Sequence, residues 1–331
     1  MNREPEYIQT NRRDFLRRAL KAGASVAATC SLFAWLYHRS RSGRPSDDKE
    51  LVTLPDFSIP GFPGKMSIAL GENRADTVRR GIEALGGIEA FIKRGDRVLL
   101  KVNAAFATPP MLSATTNPLL VAEVARLCYL AGASSVVVTD NPINDPESCF
   151  SLSGIAAAAR SSGARVLMPR ESFFEPTTVP KATLIKNWPI LWRPFRGINK
   201  IVGIAPVKDH HRSGASMTMK NWYGLLGGRR NIFHQDIHTI ITELAVLVRP
   251  TFVILDGITT MMTNGPTGGS ISDLKQTDTM IVSTDQVAAD AFGATLLGKS
   301  VTDLPYLAKA EAAGLGTADY ELLNPIRLQT G

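Results

Sequence analysis

Lysine, asparagine and histidine recur in this sequence where apolar runs stop, and an ammonium group beside a carboxamide is a natural receptor for a small anion. Lys101 and Asn103 close the run "RVLLKVN", and Asp140 and Asn141 follow "SSVVVT". Lys208, Asp209 and His210 follow "IVGIAPV", Asp256 and Gly257 follow "TFVIL", and Lys220 and Asn221 stand in "MTMKNWYG". Open α/β sheets bind ligands at the carboxyl ends of their strands, so this repeated placement reads as a site. If Lys101, Lys208 and Lys220 converge on one cleft, they make an anion site in which Asn103 and Asn221 add directional hydrogen bonds that ammonium groups alone lack. A carboxylate or phosphate is the expected guest. A lysine crowded by other cations gives up its proton more easily, and histidine titrates near neutrality, so Lys208 or His210 is the candidate acid-base group. Asp256 joins the ligand-binding candidates at its strand end. Asp290 joins them because a carboxylate on the inner part of a helix needs a partner, which a lysine of the cleft would supply.

Four of the five histidines, His210, His211, His234 and His238, lie in one short window. If "IFHQDIHTIITELAVLV" is helical, as Ile237, Ile241, Leu244 and Val248 suggest, His234 and His238 are one turn apart on one face. Together with His210 they are candidate ligands for a divalent metal, with Asp236, Asp209 or Asp256 completing the shell. The pattern departs from the H-E-x-x-H of zinc proteases because Gln235 replaces the glutamate. The alternative leaves His238 in solvent and makes His234 a hydrogen-bonding partner within the lysine and asparagine site. "NGPTGG" at 264–269 is a loop whose amides could close around an anion, although no Gly-Lys-Ser/Thr ends it as in a P-loop. No C-x-x-C occurs, so no ferredoxin-type iron-sulfur cluster is expected. Cys128 and Cys149 could pair in an oxidising compartment, but Cys128 falls on the apolar side of a predicted helix and reads as core.

The elements that must position these groups alternate between helical and strand patterns. Asp76 is placed to cap a helix carrying Val78, Ile82 and Leu85, which Gly86 and Gly87 interrupt before the strand "RVLLKVN". Asn117 and Pro118 open a second helix with Leu120, Val124, Leu127 and Cys128 on one face and a stop at Gly132. The strand "SSVVVTD", the helix "SLSGIAAAARSSG" and the strand "ARVLMP" follow, completing a βαβαβ pattern. Residues 175–196 read as an inserted or edge element. Three further strands, "NKIVGIAPVK", "TFVILD" and "TMIVST", precede a helix that Asp285 is placed to cap. The expected fold is therefore α/β, a mostly parallel sheet with helices on both faces, in one domain over 65–331.

The N-terminus reads differently. The chain of 331 residues has a formal charge of +7, yet residues 1–45 hold nine Lys or Arg against three acids, leaving 28 against 27 in the remainder. The folded part is nearly neutral, and nucleic acid is not an expected partner. Asn11-Arg12-Arg13-Asp14-Phe15-Leu16-Arg17 resembles the twin-arginine export consensus and precedes an apolar, small-residue-rich run with Lys21 in it. Residues 1–43 are thus expected to address the chain to the twin-arginine translocase and the periplasm, with 44–64 as a linker. No small-x-small cleavage site follows the run, so an uncleaved inner-membrane anchor is the alternative, although 22–37 would span only about 24 Å as a helix against a hydrocarbon core of about 30 Å.

The blocks "GDRVLLKVN", "NPLLVAEVARLCYLAGASSVVVTD", "PVKDHHRSGASMTMKNWYG", "FVILDGITTMMTNGPTGG" and "STDQVAADAFGATLLG" resemble, in order, those of the DUF362 family. The resemblance covers nearly all of the globular part, and Lys208-x-His210 followed by Lys220-Asn221-x-x-Gly224 is its most specific portion. Some members carry an appended iron-sulfur module, which this chain lacks. The strand-end basic residues are similar, more distantly, to those of the lactate racemase superfamily. Two activities fit these readings. One is an enzyme acting on a small anionic substrate. The other is a non-catalytic periplasmic protein that holds a metal, cofactor or metabolite for a partner.

Overall fold

The computed structural model describes residues 12–40, 53–62 and 64–330, and the chain forms two units, Met1–Glu50 and Leu51–Gly331. In the first, helix α1 (Arg12–Ser40) begins at the paired arginines. Asn11 of the export-like run and residues 41–52, which include the start of the expected linker, lie outside the described residues. Among the described residues no helix is long and apolar enough to cross a membrane.

The second unit opens earlier than the sequence suggests. Leu54 and Phe57, in the stretch read as linker, are buried in the core, and Phe57 exchanges backbone and side-chain hydrogen bonds with Arg249 and Thr251. Strand β1 (Met66–Leu70) leads to α2 (Arg74–Ala84), which Asn73 rather than Asp76 caps. Then come β2 (Arg97–Lys101), α3 (Pro118–Leu130, capped by Asn117) and β3 (Ser135–Thr139). The single helix expected next is two, α4 (Pro146–Leu152) and α5 (Ile155–Ser161), because Gly154 between them takes φ +74°. After β4 (Arg165–Val166), β5 (Phe174–Thr177) and β6 (Trp188–Leu191) form a separate antiparallel ribbon from the excursion at 175–196. The chain continues through β7 (Lys200–His210), β8 (Gly214–Ser216), α6 (Thr218–Asn221), α7 (Ile237–Leu247) and β9 (Phe252–Met261). It closes with β10 (Leu274–Ser283), α8 (Gln286–Leu296, capped by Asp285), α9 (Pro305–Ala312) and β11 (Ile326–Gln329).

The main sheet has the order β11-β1-β10-β9-β7-β2-β3-β4, with β8 folded back on β7. Its centre, β9-β7-β2-β3-β4, is parallel, and β10 runs antiparallel to β9 and β1. Helices cover both faces, and alternate strand residues divide between two cores. Val98, Leu100, Val136 and Val138 pack with α2, α3 and α5, while Leu99, Val137, Val253 and Leu255 pack with the cluster of α6 to α9.

This topology creates the site. From β2 the chain proceeds outward through β3 and β4, then returns to the other side of β2 as β7, which puts a topological switch point between β2 and β7. β2 ends at Lys101, opposite Gly203, but β7 runs on to His210 by pairing with β8, Lys208 opposite Ser216. Lys208 and His210 therefore lie within a strand that overhangs its neighbour, not after its end as the apolar run suggests. Asp256 likewise sits inside β9, held there by β10. Substituting Phe57→Ala should lower the unfolding free energy in a urea titration by about 3 to 5 kcal/mol, the usual cost of emptying an aromatic core position. A change within about 0.5 kcal/mol would restore the linker reading.

Candidate functional site

A hydrogen-bonded string of buried polar groups crosses the switch point. Lys101 is fully buried, and its Nζ donates to Asp140 Oδ1 at 2.7 Å, to the Val102 carbonyl at 2.6 Å and to Asn221 Oδ1 at 3.2 Å, which satisfies all three of its protons. Burial pushes the Lys101 pKa down, and Asp140 opposes that shift. Asn221 Oδ1 also accepts from Asn103 Nδ2 at 3.3 Å, while Asn221 Nδ2 donates to the carbonyls of Lys101 and Ile204 at 3.2 and 3.3 Å. Asn103 Oδ1 in turn accepts from Lys208 Nζ at 3.3 Å. The two asparagines thus join β2, β7 and α6, and spend most of their capacity on the protein.

The short helix α6 that carries Lys220 and Asn221 is seated from two sides. Asp290 of α8 caps it, accepting from the Thr218 and Met219 amides at 2.8 and 3.1 Å and from the Thr218 hydroxyl at 2.5 Å. Asp290 therefore positions the helix and has no lysine partner, contrary to the sequence expectation. Burial raises its pKa to about 7. Trp222 packs where a Cβ on Gly203 would come within 2.8 Å of its ring, and donates from Nε1 to Gln286. Gly224 has the same kind of reason, since a Cβ there would fall 2.0 Å from Asp140 Oδ1 and 3.0 Å from Lys101 Nζ. The spacing Lys220-Asn221-x-x-Gly224 is accounted for by one helical turn that presents a lysine, an asparagine link and a gap for a buried ion pair.

A cavity of about 240 Å³ opens over this string, beneath the overhanging end of β7. Asn103, Lys208, His210, Lys220 and Asn221 line it, but Lys101 does not and lies beneath. Asp256 is elsewhere, paired with Arg74 at 2.9 Å. The sequence reading missed Phe106, Tyr223 and Arg230. Phe106 and Tyr223 offer ring faces 5.3 Å from Lys208 Nζ and 4.9 Å from Lys220 Nζ, and only the second had a local signal, its place beside the Lys-Asn pair. Arg230, which carried no signal in the sequence, donates to the carbonyls of Asn141 and Pro142 at 2.9 and 2.7 Å and so closes the wall. Pro266 and Thr267 of the 264–269 loop supply the opposite rim, and Asp273 pins the loop through Asn264 and Thr263.

Charge is unbalanced here. Among the described residues Asp140 is the one carboxylate lining the cavity, and Lys101 takes it. Lys208 is left with the Ala114 carbonyl at 2.6 Å and Asn103, and Lys220 Nζ has no hydrogen-bond acceptor among the described residues. Burial, then the neighbouring Lys220, pulls Lys208 down to about 7; burial, then Arg230, does the same to Lys220. These lysines are charged in the unfolded chain up to about 10.5 and only below about 7 in the ligand-free fold. Stability of the ligand-free protein should accordingly rise as pH increases from about 7 to about 10.5, where the unfolded state binds more protons.

The histidines divide in the same way. His210 Nδ1 accepts from the Arg212 and Ser213 amides, both at 3.2 Å, so its proton resides on Nε2. Burial and the surrounding cations hold its pKa near 2 and keep it a neutral donor. His211 and His234 each stack with it, at 5.0 and 6.0 Å between ring centroids. His234 Nδ1 lies 3.2 Å from the Asn231 carbonyl, which can only accept, and 3.1 Å from the Tyr223 hydroxyl, so Nε2 keeps its lone pair. His238 is not brought to this group. Residues Arg230–Asp236 form a 3-10 segment before α7 begins, which breaks the expected one-turn spacing, and His238 instead stacks on Tyr306 at 6.2 Å. Among the described residues no group of three or more His, Cys, Asp or Glu is placed to hold a metal ion. His210 would also have to give up its Nε2 proton to serve as a ligand. Asp209 is engaged by Lys299 at 2.9 Å. Cys128 and Cys149 are buried free thiols.

Replacing Gly224 by Ala should cost about 3 to 5 kcal/mol in urea unfolding, the penalty of breaking a buried ion pair, because the methyl group displaces the Asp140 carboxylate from Lys101. A neutral outcome would mean that Asp140 and Lys101 can separate without loss.

Two solved structures are distantly similar to this chain. The lactate racemase apoprotein of Thermoanaerobacterium thermosaccharolyticum is 15% identical with a TM-score of 0.37, over 71% of this chain and 57% of that one. A protein of Thermotoga maritima is 10% identical with a TM-score of 0.35, over 73% and 59%. The chain thus spans less than two thirds of either. A thylakoid-associated protein of Synechocystis sp. is 25% identical over 266 residues, 76% of this chain and 78% of its own length. Residues 98–295, from β2 into α8 and so including every wall of the cavity, match the family described as Domain of unknown function (DUF362), and the chain belongs to that family.

Proposed function

We propose that this protein is exported by the twin-arginine translocase and that its cavity binds a small anion on which it performs acid-base chemistry. The observation that carries the binding role is the presence of two buried lysines, Lys208 and Lys220, in a cavity of about 240 Å³ whose one carboxylate among the described residues, Asp140, is already paired with Lys101. Burying an unpaired cation is costly, and a ligand carboxylate or phosphate-like group relieves that cost. Lys208 is fixed by the Ala114 carbonyl and Asn103 and supplies the directed charge. His210 donates from Nε2, and the lone pair of His234 is the available base. These assignments shift the acid-base role from His210 to its stacked neighbour. The paired Arg12 and Arg13 support export, and the near-neutral globular unit supports a small-molecule ligand over a nucleic acid.

Sulfate is a suitable probe because its charge is constant across the relevant range. Isothermal titration should detect binding at pH 6 that weakens by up to about tenfold per pH unit above about 7 for each lysine proton required. Lys208→Met should lower affinity at least about tenfold, within the range expected for a desolvated charge-assisted hydrogen bond. Absence of sulfate binding at pH 6 to the wild-type protein would sink the anion reading. Export is checked separately: replacing both Arg12 and Arg13 by Lys should leave the protein in the cytoplasm, and unchanged periplasmic delivery would overturn the proposed route.

A further inference from the structure

We infer that Lys220 is a nucleophile, and that the cavity takes a small carbonyl compound bearing an anionic group, of the 2-oxo acid class, whose carbonyl carbon Lys220 captures as an imine. The inference rests on the anion-site reading above. It begins from a difference between two lysines that share one cavity. Lys208 Nζ has two oxygen acceptors, which favour an ammonium, whereas Lys220 Nζ has none among the described residues and lies over the face of Tyr223 at 4.9 Å. A buried ammonium without acceptors leaves its protons unsatisfied, and a neutral amine avoids most of that loss. The two groups repel each other, so the first proton to leave belongs to the lysine with nothing to hold it. Burial and Arg230 act on Lys220 in the same direction. A desolvated lysine beside another cation is one of the arrangements that activate an amine.

The remaining groups fit the step. The anionic end of the ligand rests on Lys208, which leaves the adjacent carbonyl carbon to Lys220. Nζ adds its lone pair to that carbon, forming a C–N bond as the C=O π pair moves to oxygen. The Nε2–H of His210 is a neutral donor on the cavity wall that can stabilise the developing oxyanion. The nitrogen releases one proton and the oxygen gains one, giving a neutral carbinolamine. His234 Nε2 can relay that proton, then take the remaining N–H proton and deliver it to the hydroxyl as the nitrogen lone pair forms C=N and the C–O bond breaks, so that the oxygen leaves as water. Carbonyl and amine become imine and water, with no oxidant or reductant required.

The full-length protein is incubated at pH 7 with pyruvate and sodium cyanoborohydride, with and without excess sulfate, and lysine adducts are mapped by peptide mass spectrometry. Reduction of the imine adds the mass of pyruvic acid less one oxygen atom. At pH 7 the free-amine fraction of a lysine with a pKa of about 7 exceeds that of an ordinary lysine by about a thousandfold, so Lys220 should label at least about tenfold faster than any surface lysine, and faster than Lys208, whose two acceptors hold it as an ammonium. Sulfate should protect it. Lys220→Arg, which keeps the charge, should abolish the dominant adduct. Labelling spread evenly over surface lysines, or absent from Lys220 in the wild-type protein, overturns the inference whether or not the variant folds. Sulfate binding without a Lys220 adduct would leave the anion site standing and remove only the nucleophile. A Lys220 adduct that sulfate does not protect would support the amine chemistry and count against the anion clamp.

Discussion

The ion pair between Lys101 and Asp140 is the constraint on which the site depends. Both groups are removed from water, which costs several kcal/mol per ion, and that cost is tolerable only because each ammonium proton and both carboxylate oxygens find a partner. Asp140 accepts from the Ala104 and Asn141 amides as well as from Lys101, and Lys101 reaches two further oxygens. The pair therefore ties together the ends of β2 and β3, the loop after β2 and the helix α6. Gly224 exists in this arrangement as empty space, since any side chain there would occupy the carboxylate's place.

From that anchor the polar string runs toward solvent with falling satisfaction. Lys101 has a complete set of acceptors, Lys208 has two, and Lys220 has none among the described residues. The gradient has a structural origin. β2 stops where β7 continues, so the lysine at the end of β2 is enclosed by its neighbours while that on the overhang of β7 faces a gap. Lys220 comes from a third element, held at a fixed height by the Asp290 cap. In a low-dielectric space such incompletely paired cations are strong receptors for negative charge.

The imidazoles follow the same logic of pre-committed atoms. Two backbone amides occupy Nδ1 of His210, and a carbonyl occupies Nδ1 of His234, so the two rings, stacked 6.0 Å apart, present opposite functions. One can donate and the other can accept. Neither role can be assigned from the residue type, because the choice of tautomer belongs to the partner of the other nitrogen.

The sequence by itself determined the class of the fold, through apolar runs and helical periodicity whose meaning is local. Asn117 and Asp285 cap their helices as expected, and Lys101 does end its strand. It singled out Asn103, Lys208, His210, Lys220 and Asn221 by residue type, and the fold brings them to one cavity from the loop after β2, the overhang of β7 and the helix α6. What tertiary structure alone decided is how each group is used. Periodicity could not show that β7 and β9 extend past their apolar runs, because that extension comes from pairing with β8 and β10, both supplied later in the chain. Nor could it show that Asp290 caps a helix 72 residues away, that Asp256 belongs to Arg74, or that His234 lies in a 3-10 segment and His238 in the α-helix after it. Hydrogen-bond partners and burial are properties of neighbours in space, and they decide which lysine keeps its proton.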